Sequence, residues 1–210
     1  SSKFYYASIY YYSTCVHDYS TWTYVNGEIS TSQTTLNYSE YISPTCTETG
    51  INRGYCSECS YYNDITLSEL GHNFANNVCN RCNAEKKTLT EEMFNSSLFT
   101  NASSYSYTYS NGTITSTNKN TYSSSSLTFN ATSDMHLDFN LHANLLSGYG
   151  DRVSIYLNGV LQTQYTYNTY EKFEIDLNYG DRLQFTFQRG SYTNTNACLT
   201  IDNMTMIYEK

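Results

Sequence analysis

Sulfur and imidazole groups are concentrated in the first 82 residues of this 210-residue chain, at spacings that suit metal binding. Two Cys-x-x-Cys pairs, Cys56–Cys59 and Cys79–Cys82, have nineteen residues between them. Each such turn aims two sulfurs at one ion, and two turns at this separation are typical of a zinc ribbon. Further groups of the same kinds lie nearby in the sequence: Cys15, His17, Cys46 and His72. Together the eight groups would satisfy two four-coordinate zinc sites.

The segments around these ligands share a recurring pattern: His17 and Trp22, then PTCTETG at 44–50, YCSEC at 55–59, LSELGHNF at 67–74 and VCNRCN at 78–83. The pattern resembles the Cys/His repeats of large surface and secreted proteins of Gram-positive gut anaerobes. Ser60 stands where that repeat has Gly, and the second unit stops after Cys82. The resemblance covers about residues 15–84 and implies display at the cell surface.

The resemblance also implies a partition of the ligands. One repeat would supply His17, Cys46, Cys56 and Cys59, and the second would supply His72, Cys79 and Cys82, which Cys15 could complete. Two alternatives stay open. A plain ribbon would use only the two Cys-x-x-Cys pairs, and an oxidising extracellular space would favour disulfides. A closed four-ligand site has no open position for substrate, so zinc bound in this way would be structural.

Composition indicates a secreted protein and argues against several partners. Charged residues make up 14% of the chain, and the formal net charge is −8. A nucleic-acid-binding surface needs clustered Lys and Arg, and the 11 present are scattered. No apolar run approaches the roughly 18 residues of a membrane span. We therefore expect an extracellular or cell-surface location, with neither nucleic acid nor a bilayer span involved.

The composition changes near residues 84–87, which predicts domains at 1–87 and 88–210. Few aliphatic side chains lie in 15–84, so bound metal would supply folding free energy that a small core lacks. Thr88–Glu91 has the form of a capping box before a short helix in the apolar stretch 93–99.

From about residue 103 the hydrophobic pattern has period two, which predicts strands. Leu137, Phe139 and Leu141 alternate with polar residues, and the same alternation recurs in the segments 153–157, 173–177, 183–187 and 199–206. The Asn-Gly pairs at 111–112 and 158–159 predict hairpin turns, and a phase slip near 202–203 predicts a bulge. The predicted fold is mainly β: a small Cys/His zinc-ribbon-like region followed by an antiparallel, jelly-roll-like sandwich.

Function is predicted from surface chemistry, because no catalytic constellation stands out. Tyr165 and Tyr167 would project from one strand face and could stack on sugar rings, although tyrosine also simply suits half-exposed strand positions. His136, Asp138 and His142 share another strand face, where an exposed polar surface is the commoner outcome. The sequence thus predicts a non-catalytic surface module that binds carbohydrate or other surface proteins. The alternative is a subunit that assembles into a filament or layer, pairing through an N-terminal strand at 4–12.

Overall fold

The computed structural model describes residues 24–25, 28–29, 36–56, 62–101, 104–146, 148–192 and 196–209. For those before Ile42, and for 52–56 and 62–63, it describes the backbone alone. The chain divides into two compact units, Ser1–Gly71 and His72–Lys210. The N-terminal strand predicted at 4–12 lies outside the described residues.

In its described residues, the first unit contains two small antiparallel sheets. Its strands are β1 (Tyr24–Val25), β2 (Glu28–Ile29), β3 (Leu36–Ile42), β4 (Gly50–Cys56) and β5 (Tyr62–Leu67). β1 pairs with β2, and β4 lies between β3 and β5 in the second sheet. The chain turns so tightly before β4 that a Cβ on Gly50 would lie only 2.4 Å from the Ile42 carbonyl oxygen.

The second unit is built almost entirely from strands. They are β6 (Phe74–Ala75), β7 (Val78–Cys79), β8 (Glu85–Thr88), β9 (Phe99–Asn101), β10 (Thr108–Ser110), β11 (Thr113–Thr115), β12 (Ser124–Asn130), β13 (Met135–Asn144), β14 (Arg152–Leu157), β15 (Val160–Tyr165), β16 (Thr169–Leu177), β17 (Arg182–Gln188) and β18 (Cys198–Tyr208). A one-turn helix, α1 (Glu91–Phe94), follows β8. Within the described part of the chain, no helix has the length and apolar character needed to cross a membrane.

These strands form two antiparallel sheets that pack face to face. One sheet has the order β15-β14-β17-β12-β9. In the other, β18 pairs with β8, β11 and β13, and β13 pairs with β16. Between β12 and β18 the chain passes repeatedly from one sheet to the other, so most of its connections close the ends of the sandwich. The predicted mainly β, two-layer antiparallel fold is confirmed.

The core lies between the sheets, where the period-two pattern predicts it. Along β13, buried residues alternate with half-buried ones, and β17 shows the same alternation. Phe139 of β13 meets Phe185 of β17 edge-to-face across the core, with ring centroids 5.4 Å apart. Aromatic and aliphatic side chains from both sheets fill this space, so burial of apolar surface holds the layers together.

Local signals in the sequence find their predicted structures at three places. Asn111-Gly112 and Asn158-Gly159 are hairpin turns in which all four residues have positive φ. β18 slips in register against β13 between Asp138 and Asn140, and Asn203 has φ 52°. The bulge predicted near 202–203 is therefore present.

The bounds of helix α1 and the boundary between the two units differ from the predictions. α1 begins after Thr90, whose side chain accepts a hydrogen bond from the Met93 amide, whereas Thr88 ends β8. The helix stops at Phe94 because Phe99 is needed in β9, where it pairs with Phe129 of β12. The sequence predicts a boundary at 87/88, but the structure divides the chain at 71/72, since β8 pairs with β18 and thereby joins the sandwich sheet.

Candidate functional site

Three of the eight predicted metal ligands converge within the second unit. One potential ligand atom from each of His72, Cys79 and Cys82 lies within 4.8 Å of the other two. Cys79 ends β7 and Cys82 closes the turn that follows, where Asn83 donates its amide to the Cys79 carbonyl at 2.9 Å. The positive φ of Asn83, 62°, lets the chain reverse directly into β8. This turn therefore brings both sulfurs of the second Cys-x-x-Cys pair to one point.

A carboxylate orients the imidazole of His72. Its Nε2 lies 3.0 Å from Glu209 Oε1, and its Nδ1 lies 3.4 Å from Cys82 Sγ. With the Nε2 proton donated to Glu209, the Nδ1 lone pair faces the sulfurs. Histidine ligands of metals are commonly fixed in this way by a carboxylate on the second nitrogen. Glu209 follows β18, and no sequence signal connects it to His72.

The surroundings of the Cys79 thiol lower its pKa and so favour its ionised form. Burial opposes its ionisation, but backbone amides of Cys82, Arg81 and Asn73 donate hydrogen bonds to the sulfur and the His72 side chain interacts with it, and the net effect lowers its pKa to about 5. The Arg81 amide lies 3.4 Å from Cys79 Sγ. A thiolate is the form that binds a metal, so this sulfur is a ready ligand at neutral pH.

The other predicted ligands belong to the first unit. Cys15, His17 and Cys59 lie outside the described residues, and Cys56 ends β4 with its backbone alone described. Cys46 is buried, with 6% of its surface exposed.

A second candidate site lies at one end of the sandwich. The antiparallel strand directions bring four loops to this end, which we call the tyrosine end. Their described residues are 116–123, then 145–146 with 148–151, then 166–168, and last 189–192 with 196–197. Each loop carries one exposed tyrosine: Tyr122 (74% exposed), Tyr149 (46%), Tyr167 (61%) and Tyr192 (52%). The rings of Tyr149 and Tyr192 contact each other, with centroids 4.9 Å apart. Exposed aromatic surface is thus gathered at one place.

Backbone contacts fix these loops against one another. Tyr122 donates its amide to the Gly190 carbonyl at 3.0 Å, and Ser191 donates its amide to the Tyr149 carbonyl at 2.8 Å. The approach is so close that a Cβ on Gly190 would lie 1.8 Å from the Tyr149 oxygen. Only glycine fits there, and three of the four tyrosines are held around it.

A buried ion pair in the protein interior stabilises the same loops. Arg189 is fully buried, and its Nε lies 3.6 Å from Asp151 Oδ1. Asp151 also accepts the Gly190 amide at 2.8 Å and the Leu146 amide at 3.2 Å, while Arg189 Nη2 donates to the Tyr192 carbonyl at 3.0 Å. The pair therefore links the loops that carry Tyr149 and Tyr192.

Of the two tyrosines predicted to bind ligand, only Tyr167 is exposed at the tyrosine end. Tyr165 is the last residue of β15 and is 7% exposed, and its hydroxyl donates to the Glu171 carboxylate. Burial and this hydrogen bond raise the pKa of Tyr165. Asn168 Oδ1 accepts the Leu145 amide at 2.6 Å, which joins the Tyr167 loop to its neighbour.

The outward face of β13 carries His136, Asp138 and His142, as the alternation predicts. His136, Asp138 and Glu174 offer ligand atoms within 4.8 Å of one another. The Lys172 ammonium contacts both carboxylates, however, and lies 3.3 Å from Asp138 Oδ1. A cation of the protein itself thus offsets part of the negative charge of the two carboxylates, and this group is a polar surface of ion pairs.

Comparisons with known proteins reach no named family. No family model matches the sequence, and no curated protein matches it. Similar solved structures include the CBM51-2 and INT domains of ZmpB from Clostridium perfringens (7% identity, TM-score 0.44, covering 83% of this chain and 41% of that chain). A family 35 carbohydrate-binding module from Clostridium thermocellum is similar at 14% identity and TM-score 0.29, covering 60% of this chain and 92% of that one.

The secreted serine protease VesC from Vibrio cholerae is similar at 12% identity and TM-score 0.43, covering 74% of this chain and 33% of that one. This chain therefore spans less than half the length of the ZmpB and VesC structures. At identities and TM-scores this low, none of the three defines a binding site or an activity for this chain.

Proposed function

We propose that this chain is a non-catalytic extracellular module that binds carbohydrate at the tyrosine end of its sandwich. The observation that carries the proposal is the presence of one exposed tyrosine on each of four loops that meet at that end. Tyrosine rings stack on the apolar CH patches of sugar rings, and their hydroxyls bond to sugar hydroxyls at the rim. Aromatic side chains with few rotatable bonds also lose little entropy on binding.

Preorganisation supports a binding role for these tyrosines. Exposed loop residues are usually mobile, but the backbone bonds around Gly190 and the Arg189–Asp151 pair fix the loops before any ligand arrives. A site on fixed loops loses less free energy to ordering when it binds. The low proportion of charged residues, 14% of the chain, also suits a neutral, hydroxyl-rich ligand.

We further propose that His72, Cys79 and Cys82 hold a structural zinc ion. Two sulfurs and one imidazole are ligands that zinc prefers, and the fit is supported by the Glu209 carboxylate behind His72 and the lowered pKa of Cys79. A fourth ligand would come from Cys15, His17, Cys46, Cys56 or Cys59. The resulting closed site would act as a scaffold for surface display, as the resemblance to Cys/His repeats implies.

The carbohydrate proposal is tested by replacing single tyrosines. A glycan array identifies the best oligosaccharide, and calorimetric titration measures its affinity. We expect Tyr149→Ala and Tyr192→Ala each to weaken binding by at least about tenfold, the loss typical of one central aromatic contact. Tyr179→Ala is the matched control, because Tyr179 is 77% exposed in a turn at the opposite end of the sandwich.

Two outcomes would contradict the carbohydrate proposal. Absence of binding to every glycan of a broad array would contradict carbohydrate recognition by this chain. Equal losses in Tyr149→Ala and Tyr179→Ala would show that the tyrosine end is not the binding surface.

The zinc proposal is tested by elemental analysis of the freshly purified full chain under reducing conditions. We expect bound zinc, and we expect Cys79→Ser, Cys82→Ser and His72→Ala each to lower its amount, because every substitution removes a ligand. Cys198→Ser is the control, since Cys198 begins β18 outside the cluster. Single substitutions of the five candidate fourth ligands then identify the one whose loss matches that of Cys82→Ser. Metal-free protein with Cys79 and Cys82 in disulfides would overturn the proposal.

A further inference from the structure

A shallow depression lies on the outer face of the β15-β14-β17-β12-β9 sheet, near the end opposite the tyrosine end. Its volume is about 380 Å³, within the range of small-molecule sites. The lining residues are Thr128, Asn158, Gly159, Arg182 and Gln184. All of them belong to the second unit, and none belongs to the tyrosine end or the Cys/His cluster.

The strand register explains why these side chains meet. Thr128 of β12 and Tyr156 of β14 stand directly opposite Gln184 of β17, so the three form one row across the outer face. Gln184 Nε2 donates to Ser126 Oγ at 2.7 Å, which fixes the amide in place. The row therefore offers a hydroxyl, an oriented amide and a half-buried aromatic ring next to one another.

Arg182 brings a positive charge into this depression. Its backbone is fixed, because its amide donates to Asn158 Oδ1 at 2.9 Å and its carbonyl accepts the Asn158 amide at 2.9 Å. Among the described residues, no carboxylate forms an ion pair with its guanidinium. The adjacent Asp181 carboxylate instead accepts hydrogen bonds from the Asn158 side chain and the Asn178 amide, each at 2.8 Å, which lower its pKa.

Other arginines of the sandwich have local partners. Arg189 pairs with Asp151, and Arg152 Nε donates to Gln188 Oε1 at 2.8 Å. The chain carries a net charge of −8, so an unengaged cation in a concave surface is unusual for it. Guanidinium groups bind carboxylate and sulfate oxygens in a bidentate manner.

We infer that this depression binds an acidic saccharide, with Arg182 holding the carboxylate or sulfate group. Thr128 and Gln184 bond to ring hydroxyls, and Tyr156 flanks the ring. Gly159 leaves the rim open, because nothing lies within 4 Å of the position that its Cβ would occupy. The site is separate from the tyrosine end and stands or falls independently of the proposed function.

The test uses the full chain and two probes that differ at one carbon, D-glucuronate and D-glucose. Amide chemical shifts are followed by NMR during titration, including the side-chain amides of Asn158 and Gln184. We expect glucuronate to shift these signals and to bind at least about tenfold more tightly than glucose, because only glucuronate offers a charged partner to the guanidinium. Added sodium sulfate should weaken glucuronate binding by competing for Arg182 and by screening.

Substitutions of Arg182 test whether this residue recognises the charge of the ligand. Arg182→Gln should abolish the preference for glucuronate, and Arg182→Lys should retain part of it, because lysine keeps the charge but loses the bidentate geometry. Arg152→Gln, on the neighbouring strand β14 and on the same face of the sheet, is the matched control and should bind as the unsubstituted protein does. The side-chain amide signals of Asn158 and Gln184 separate this site from the tyrosine end, because both residues line the depression.

Three results would overturn the inference: equal affinity for the two probes, unchanged binding in Arg182→Gln, or equal losses in Arg182→Gln and Arg152→Gln. Shifts confined to the tyrosine-end loops would assign glucuronate to that surface instead.

Discussion

The tetrapeptide Tyr-Gly-Asp-Arg occurs at 149–152 and again at 179–182, and the two copies show what a residue's position does to its role. Both glycines have positive φ, 88° at Gly150 and 89° at Gly180, a conformation that glycine adopts readily in turns. Asp181 accepts a local bond from the Asn178 amide. Asp151, by contrast, is 1% exposed and faces the buried Arg189. The same tetrapeptide thus places its aspartate in a surface turn at one end of the sandwich and in a buried ion pair with Arg189 at the other.

At this scale we predict that Arg189→Met destabilises the protein by about 3–5 kcal/mol, because it leaves the Asp151 carboxylate buried without its cation. Urea denaturation followed by circular dichroism measures the change. Arg152→Met is the control, and its effect should stay within about 0.5 kcal/mol, as for most exposed positions. A loss in Arg189→Met no larger than in the control would show that the pair contributes nothing to stability.

The structural features that depend on residues close together in the chain agree best with the sequence-based predictions. The alternation in β13 and β17 faces the core as predicted, and the two Asn-Gly turns and the β18 bulge occur where the local chemistry calls for them. α1 departs from prediction because the pairing of Phe99 with β12 limits its length. Hydrogen bonding between distant strands overrides local helix preference at that point.

The whole molecule divides at a place that composition does not mark. Residues 72–88 have the cysteine-rich character of the first unit, but they contribute β8 to the sandwich sheet. The filament alternative also belongs to this scale. A net charge of −8 opposes close association of copies, and the register shift in the edge strand β15 makes it a poor template for pairing.

We therefore predict that the chain is monomeric near neutral pH. Light scattering after size exclusion should give a mass near 24.1 kDa at low and moderate salt. Large regular assemblies in electron micrographs would favour the filament alternative. In that case, variants lacking residues 4–12 would test whether the predicted N-terminal strand mediates the assembly.

The sequence by itself determined the β class, the alternation of the core, the hairpin turns and the chemical nature of the Cys/His group. These features depend on residues close together in the chain, where spacing and side-chain type fix the geometry. Tertiary structure alone decided that Glu209 stands behind His72, that Asp151 meets Arg189, and that the tyrosines of four loops share one end. Those contacts join segments tens of residues apart, and strand order and direction, which no local pattern encodes, set which segments meet.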